Sequence, residues 1–225
     1  MASKKAAGST PGGRGHLGRE VIVQTALDLM NQIGLDALSL RRLADELHVQ
    51  APALYWHFKN KQELLNEMAE AMILSAYTNT TVPTPADGVD WVDWLTVLAR
   101  TLRQTLLNYR DGASLMASAE ISSRSIPSLD LSLGILVEAG FSYPLAMIGI
   151  FTVVTYTLGF AFEKQASPDD DDDPEQMRQR IAGLPYLTAA FESGQIHLMG
   201  DEFEAGIQVI IDGLRIQYQQ GRYSG

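Results

Sequence analysis

The chain has 225 residues, of which 46% are hydrophobic and 20% charged, with a formal net charge of −10 and no cysteine. That apolar content excludes a wholly disordered chain. The missing cysteine excludes a disulfide frame, a thiolate nucleophile and Cys-ligated metal, which fits a reducing cytoplasm. Residues 1–61 hold eight basic and five acidic side chains, whereas the remainder holds nine and 22, so a basic module is joined to an acidic one.

Residues 1–18 are rich in Gly, Ser and Ala and lack the apolar run of a secretory signal, so they read as a flexible basic arm. Lys4, Lys5, Arg14 and Arg19 at its end are placed to follow a phosphate backbone or a minor groove, and an inert tail is the equal alternative. From Arg19 to Ile33, the residues Ile22, Ala26, Leu29, Met30 and Ile33 recur at helical spacing, and Gly34 ends the helix. Ser39 caps a second helix from Leu40 to Leu47, with Leu40, Leu43, Ala44 and Leu47 on one face. After a tight connection through His48–Val49–Gln50–Ala51, Pro52 suits the first turn of a short third helix holding Ala53 to Phe58. Asn60 and Glu63 are a capping pair for a fourth helix that runs to Tyr77. Thr78 to Gly88, with Pro83 and Pro85, breaks the chain.

Trp91 to Tyr109 is amphipathic, with Trp91, Trp94, Leu95, Leu98, Leu102, Leu106 and Tyr109 in one stripe. Asp111–Gly112 marks a turn, and shorter helical pieces follow at 113–120 and 127–139. A long helix starts at Ser142 and Pro144 and ends near Lys164. The segment from Ala139 to Phe162 contains no charge and is long enough for a bilayer of ~30 Å. Ser142, Tyr143, Thr152, Thr155, Tyr156 and Thr157 punctuate it, and Glu138 and Glu163 flank it without a basic cluster, so a buried helix of a soluble core is expected and no membrane partner. The run Asp169–Asp173 lacks the glycine turn and distal glutamate of a calcium loop and reads as solvated. A helix near Pro185–Glu192 and a final one from Asp201 to Gln219 complete the chain, and strand alternation is absent. The fold class is all-α.

The second and third helices match a helix-turn-helix, in which the second helix enters the major groove and its first residues meet base edges. Those residues are Gln50, Ala51, Pro52, Ala53 and Tyr55. Pro52, Ala53 and the Tyr55 ring suit thymine methyls, Gln50 an adenine edge and Arg41 a guanine. His57 and Lys61 suit phosphates, the latter at a helix N-terminus. Leu54 and Phe58, four apart, read as core, which leaves Tyr55, Trp56, His57 and Lys59 facing elsewhere. Two packed helices joined by a turn also occur in cores that never meet DNA.

Residues 39–65, SLRRLADELHVQAPALYWHFKNKQELL, strongly resemble the DNA-binding domain of the TetR family of bacterial repressors, LYWHFKNK being the most specific part. The segments WVDWLTVLARTLRQTLLNYRDGA, EAGF, TLGFAFEKQ and FEAGIQVIIDGL are similar to the effector-binding domain of the tetracycline-repressor branch. The resemblance spans residues 20 to 220. It implies an all-α homodimer that binds a palindromic double-stranded operator and releases it on binding a small molecule. It implies operator contacts at Arg41, Gln50, Ala51, Pro52, Ala53, Tyr55, His57 and Lys61. It also implies a bundle with the partner built from the long uncharged helix and the last helix, where Gly206 and Gly213 fit close approach, although simple packing within the chain explains them equally.

The branch's members read a base with a glutamine where this chain has Ala51, so the operator sequence is expected to differ. They hold a drug–magnesium chelate with a histidine and a threonine in the middle helices and a glutamate from the partner. Met116 and Ala119 stand at the first two positions, and only Glu163 is retained. Leu98 and Leu102 replace an asparagine and a phenylalanine, and Tyr77 replaces another histidine. Methionine and alanine offer no hard ligand to a divalent ion. The expected effector is therefore largely apolar or aromatic, with no metal and no cofactor. Its lining is Trp94, Leu98, Leu102, Met116, Met147, Ile150 and Phe151, with Tyr77, Asn108 and Glu163 as polar anchors.

The expected division is an arm at 1–18, a helix-turn-helix domain at 19–66 and an effector-binding and dimerisation domain at 67–221. An activator or architectural DNA binder without an effector is an alternative. An all-α enzyme is a weaker one, since no His-Glu-x-x-His, phosphate loop or G-x-G-x-x-G is present. No catalytic residue is assigned, and His197 reads as structural or solvent-exposed.

Overall fold

The computed structural model describes residues 18–79, 88–120, 126–166, 174–193 and 202–221, and every regular element among them is a helix. The basic arm up to residue 17, the proline-containing break, the aspartate run and His197 lie outside the described residues.

The N-terminal unit is built from α1 (Arg19–Ile33), α2 (Leu40–Glu46), α3 (Ala51–Tyr55) and α4 (Lys61–Asn79). Gly34 ends α1 at φ 84°, a left-handed conformation that glycine adopts without strain, and its N–H donates to the Met30 carbonyl at 2.8 Å. Ser39 caps α2 through its hydroxyl, which accepts from the Arg42 N–H at 3.2 Å. Ile22, Ala26, Met30, Leu43, Leu54, Phe58, Leu64 and Met68 fill one core at complete burial. Each large apolar side chain buried there contributes roughly 1.5–3 kcal/mol.

That core does not stop at the end of the unit. The same cluster takes in Met72 of α4, and Leu102, Leu106, Ala113 and Leu115 from the next two helices. Those helices are α5 (Trp91–Asn108) and α6 (Gly112–Ser118). Helix α4 is thus shared between the N-terminal unit and the rest. A second core lies around α7 (Ile126–Glu138), α8 (Tyr143–Ala166) and α11 (Glu202–Gln219), where Trp94, Leu95, Leu98, Leu136, Ile150, Phe203 and Ile211 are buried.

Helix α8 packs on α5, α6, α7 and α11. It is long and apolar enough to cross a membrane, the only such helix among the described residues, and its apolar residues divide between two faces. Leu145, Ala146, Gly149, Ile150, Val153, Thr157 and Ala161 face the core. Ile148, Phe151 and Phe162 are 44–50% exposed on the other side, and Val209 and Ile216 of α11 are likewise exposed.

The joint between α5 and α6 is held by Gln165 near the end of α8. Its amide nitrogen donates to the carbonyls of Leu106 and Tyr109, both at 2.8 Å, and its oxygen accepts from the Ala113 N–H at 3.0 Å.

Two glycines expected to serve a contact with a partner part company. A Cβ on Gly206 would overlap the Tyr156 hydroxyl of the same chain, which donates to the Glu202 carbonyl at 3.0 Å, so Gly206 is small for packing within the protomer. A Cβ on Gly213 would meet nothing within 4 Å.

Two short helices, α9 (Pro174–Arg180) and α10 (Pro185–Glu192), lie between α8 and α11 in the chain. The sequence pattern assigns no element between the aspartate run and Pro185, where α9 forms. Tyr186 and Leu187 of α10 are 90% and 55% exposed.

Candidate functional site

Helices α2 and α3 are set by a turn in which His48 adopts φ 55° and the Val49 N–H donates to the Ala44 carbonyl at 3.0 Å. Gln50 is the N-cap of α3, and Pro52 lies in its first turn, where a missing N–H costs nothing. Leu54 anchors α3 to the core at 0% exposure. The helix ends at Tyr55, shorter than the sequence suggested. Phe58 is drawn fully into the core, and Asn60 must already open α4, with its side chain accepting from the Glu63 N–H at 2.8 Å.

Burying Leu54 and Phe58 turns the residues between them outward. Gln50 and Pro52 are exposed, Ala51 and Ala53 half-buried, and Tyr55 is 56% exposed. Trp56, which was not among the expected contacts, is 90% exposed. Leaving two large aromatic rings in water beside a short helix is unfavourable unless something covers them. Arg41 on α2 and Lys61 at the start of α4 are exposed on the described surface, and His57 is half-buried. These eight expected residues all lie between α2 and the start of α4.

Arg19 does not belong to the arm. As the first residue of α1, its guanidinium donates to Glu63 at 2.7 Å, to Glu67 at 2.9 Å and to the His57 carbonyl at 2.6 Å. Its plane lies 4.5 Å from the Phe58 ring centre. Burial works against this charge, but the bonds to Glu63 and Glu67 outweigh it and hold the guanidinium above its ordinary pKa. The Arg19 guanidinium, helped by the Lys59 N–H, holds the Glu63 carboxyl below the usual range. Arg19 thus pins the corner between α3 and α4, and the expected phosphate contact is corrected to an internal clamp.

A half-open cavity of about 230 Å³ lies between α4, α6, α7 and α8. Of the expected lining, Met116, Ile150 and Phe151 are in its wall, with Ala119 beside them. Trp94 and Leu98 are buried in the second core and Leu102 in the first, and none of the three reaches this cavity. Met147 is half-buried on α8, and Glu163 is exposed near its end. Asn108 is exposed and lines a separate groove against α1, and the Tyr77 side chain lies outside what is described.

The sequence reading missed the wall supplied by α4, namely Asn66, Ala69, Glu70 and Ile73. Their i, i+3, i+4, i+7 spacing is a readable stripe, hidden because two of the four are polar. The end of α6 is bonded to that same stretch of α4. Gln62 donates to the Ser118 carbonyl at 2.7 Å, and the Asn66 side-chain oxygen accepts from the Glu120 N–H at 3.0 Å. Pressure on the α6 wall therefore reaches α4 through polar bonds as well as packing. Among the described residues no cluster of three metal-ligating side chains occurs.

Residues 22–68 match the family described as bacterial regulatory proteins, tetR family, and residues 84–218 match the tetracyclin repressor-like C-terminal domain. The chain is 39% identical over 193 residues to the class A tetracycline repressor protein from transposon 1721 of Escherichia coli, covering 86% of this chain and 88% of that one. It is similar to the crystal structure of a possible TetR family transcriptional regulator from Streptomyces coelicolor A3(2), at TM-score 0.75 and 35% identity, covering 88% of this chain and 99% of the other. It is also similar to TetR(class A) in complex with 5a,6-anhydrotetracycline and magnesium, at TM-score 0.66 and 36% identity, covering 87% and 96% of the two chains.

Proposed function

The chain belongs to the TetR family of bacterial regulatory proteins and is a ligand-responsive transcriptional repressor, and from that premise we propose which residues read its operator and what kind of molecule releases it. Residues 19–66 read DNA and residues 67–221 bind the effector and dimerise. The operator is palindromic, with half-sites about 34–36 Å apart, one per protomer. Arg41, Gln50, Ala51, Pro52, Ala53 and Tyr55 face base edges, and His57 and Lys61 take phosphates. The observation that carries this is the outward display of Tyr55 beside exposed Gln50 and Pro52, while Leu54 of the same helix is fully buried.

The effector is largely apolar or aromatic. Met116 and Ala119 in the cavity wall offer no hard ligand, the Asn66 oxygen already accepts from Gln62 and the Glu120 N–H, and the carboxylates of Glu70 and Glu120 fall short of a three-group cluster, so the drug–magnesium chelate held by one similar structure is not the effector proposed for this chain. At about 230 Å³ the cavity is smaller than the ~300–1,000 Å³ of most small-molecule sites, and Phe151 at its rim is 45% exposed. The partner protomer completes it across the exposed face of α8. A ligand there displaces α6 and, through Gln62 and Asn66, tilts α4 and separates the two recognition helices. Release requires that the ligand prefer the DNA-incompetent state: ~1–3 kcal/mol of preference weakens operator binding about 5–150-fold. The protein acts in the cytoplasm and carries out no catalysis of its own.

Selection of bound duplexes from a random pool tests the DNA reading. It should return an inverted repeat bound by a dimer, with affinity falling steeply with salt. Recovery of no preferred sequence would overturn it.

A further inference from the structure

A second and larger groove, of about 620 Å³, lies away from the apolar cavity, where α1 faces α5. Two of its walls are stripes one helical face wide, and Ser75 and Ala76 of α4 close it on a third side. Gln24, Asp28 and Asn31 supply one, and Arg100, Gln104 and Asn108 the other. Unlike the mainly apolar cavity, it presents polar and apolar surface about equally, and its walls come from the DNA-reading unit on one side and the effector domain on the other.

The existing bonds determine what remains for a ligand. Gln24 donates to one Asp28 oxygen at 3.0 Å, and the Asn31 oxygen accepts from the Arg110 N–H at 2.9 Å. Arg100 is neutralised by Glu204, which it grips through two nitrogens at 2.7–3.0 Å. Left over are the second Asp28 oxygen, the Asn31 amide nitrogen and the whole amides of Gln104 and Asn108. A carboxamide supplies two donors and an acceptor, so the groove offers many neutral hydrogen bonds and one uncompensated negative charge. An apolar ligand would strip water from these groups without replacing it, and an anion would find its only cation already paired.

We propose that this groove is a second small-molecule site, for a hydroxyl-rich molecule bearing one amino group, and that its occupancy feeds into DNA binding because it bridges α1 and α5. Its volume falls in the range of ordinary small-molecule sites. The ligand's amine meets Asp28, and its hydroxyls meet Gln104, Asn108 and Asn31. Tying α1 to α5 restricts the tilt of the DNA-reading unit against the effector domain, and a ligand that prefers one tilt shifts the population toward it.

Titration of the ¹⁵N-labelled full-length protein with glucosamine tests the site without reference to DNA, so it stands or falls apart from the operator assignment. Saturable shifts are expected at α1 and α5 amides, including the side-chain amides of Gln24, Gln104 and Asn108. Sorbitol should bind more weakly, and glucose 6-phosphate weakest of all. Asp28→Asn should weaken glucosamine roughly tenfold and leave sorbitol unchanged, since only the charge-assisted bond is lost. Gln104→Leu should weaken both; both side chains are exposed, and the spectrum itself reports whether each variant folds. Shifts that do not saturate, or that centre on Met116 and Ile73, or a preference for the phosphate, would overturn the site. Operator affinity measured by anisotropy should change at saturating glucosamine in wild type and not in Gln104→Leu. An unchanged wild-type affinity would overturn the coupling.

Discussion

Replacing Arg19 with methionine separates an internal clamp from a DNA contact, because methionine keeps an apolar stem and loses every polar bond. The loss comprises the His57 carbonyl bond at 2.6 Å, two carboxylate pairs at 2.7 and 2.9 Å, and stacking on Phe58 at 4.5 Å. The part-buried backbone bond is worth about 1 kcal/mol and the stacking about 0.5–1. With Arg19 35% exposed, each ion pair is screened by solvent and adds only a fraction of 1 kcal/mol. The expected destabilisation is about 2–3 kcal/mol, or roughly 4–12 °C in Tm for a chain of this size, compared at fixed protein concentration. The salt dependence of operator binding should not change. Each lost phosphate contact would flatten the slope of log K against log salt by about 0.9. A slope flattened by that amount with Tm intact would refute the clamp and return Arg19 to the DNA-binding arm. Acid adds a second readout. Glu63 has a lowered folded pKa, so its contribution is complete above the ordinary glutamate value of about 4.3 and drains away as pH falls through the lower folded value. The difference in stability between wild type and Arg19→Met should therefore shrink in that acid window and stay constant above it.

Tyr55→Ala should weaken binding to the selected operator by roughly 1–3 kcal/mol and hardly change binding to a scrambled duplex, measured by anisotropy. Chelating magnesium with EDTA should leave effector-driven release intact, whereas Met116→Arg, which fills the cavity wall with charge, should abolish release and spare operator binding. Gly206→Ala should cost about 1–3 kcal/mol in denaturant unfolding, because its Cβ overlaps Tyr156. Gly213→Ala meets nothing among the described residues of its own chain, and a dimer weakened in sedimentation is the expected sign of close approach by the partner helix.

Where local rules suffice, the structure could be read from the sequence. Helix α1 begins and ends where the apolar spacing and Gly34 put it, and the Ser39 and Asn60 caps form as their residue types require. Helix α9 was hidden because PEQMRQR has no apolar stripe to bury. Contacts between distant parts of the chain were illegible for a different reason. Arg19 finds Glu63 and Glu67 across 44 and 48 residues, and Gly206 meets a tyrosine on another helix, neither of which periodicity encodes. At the candidate site, Met116, Ile150 and Phe151 fall in the cavity wall, while Trp94, Leu98 and Leu102 are spent on core packing. All of them satisfy the same apolar pattern, and only the packing of α4 and α6 against α8 separates the two roles.

Among the described residues, Gln165 makes its three bonds to main-chain atoms, at Leu106, Tyr109 and Ala113, and to no side chain. Any amino acid other than proline at position 113 presents the same N–H, and any amino acid at 106 or 109 presents the same carbonyl. Drift in the identities of neighbouring residues therefore leaves the joint between α5 and α6 wired as before. Met116 of α6, which lines the cavity, can therefore change while the frame that carries it stays in register.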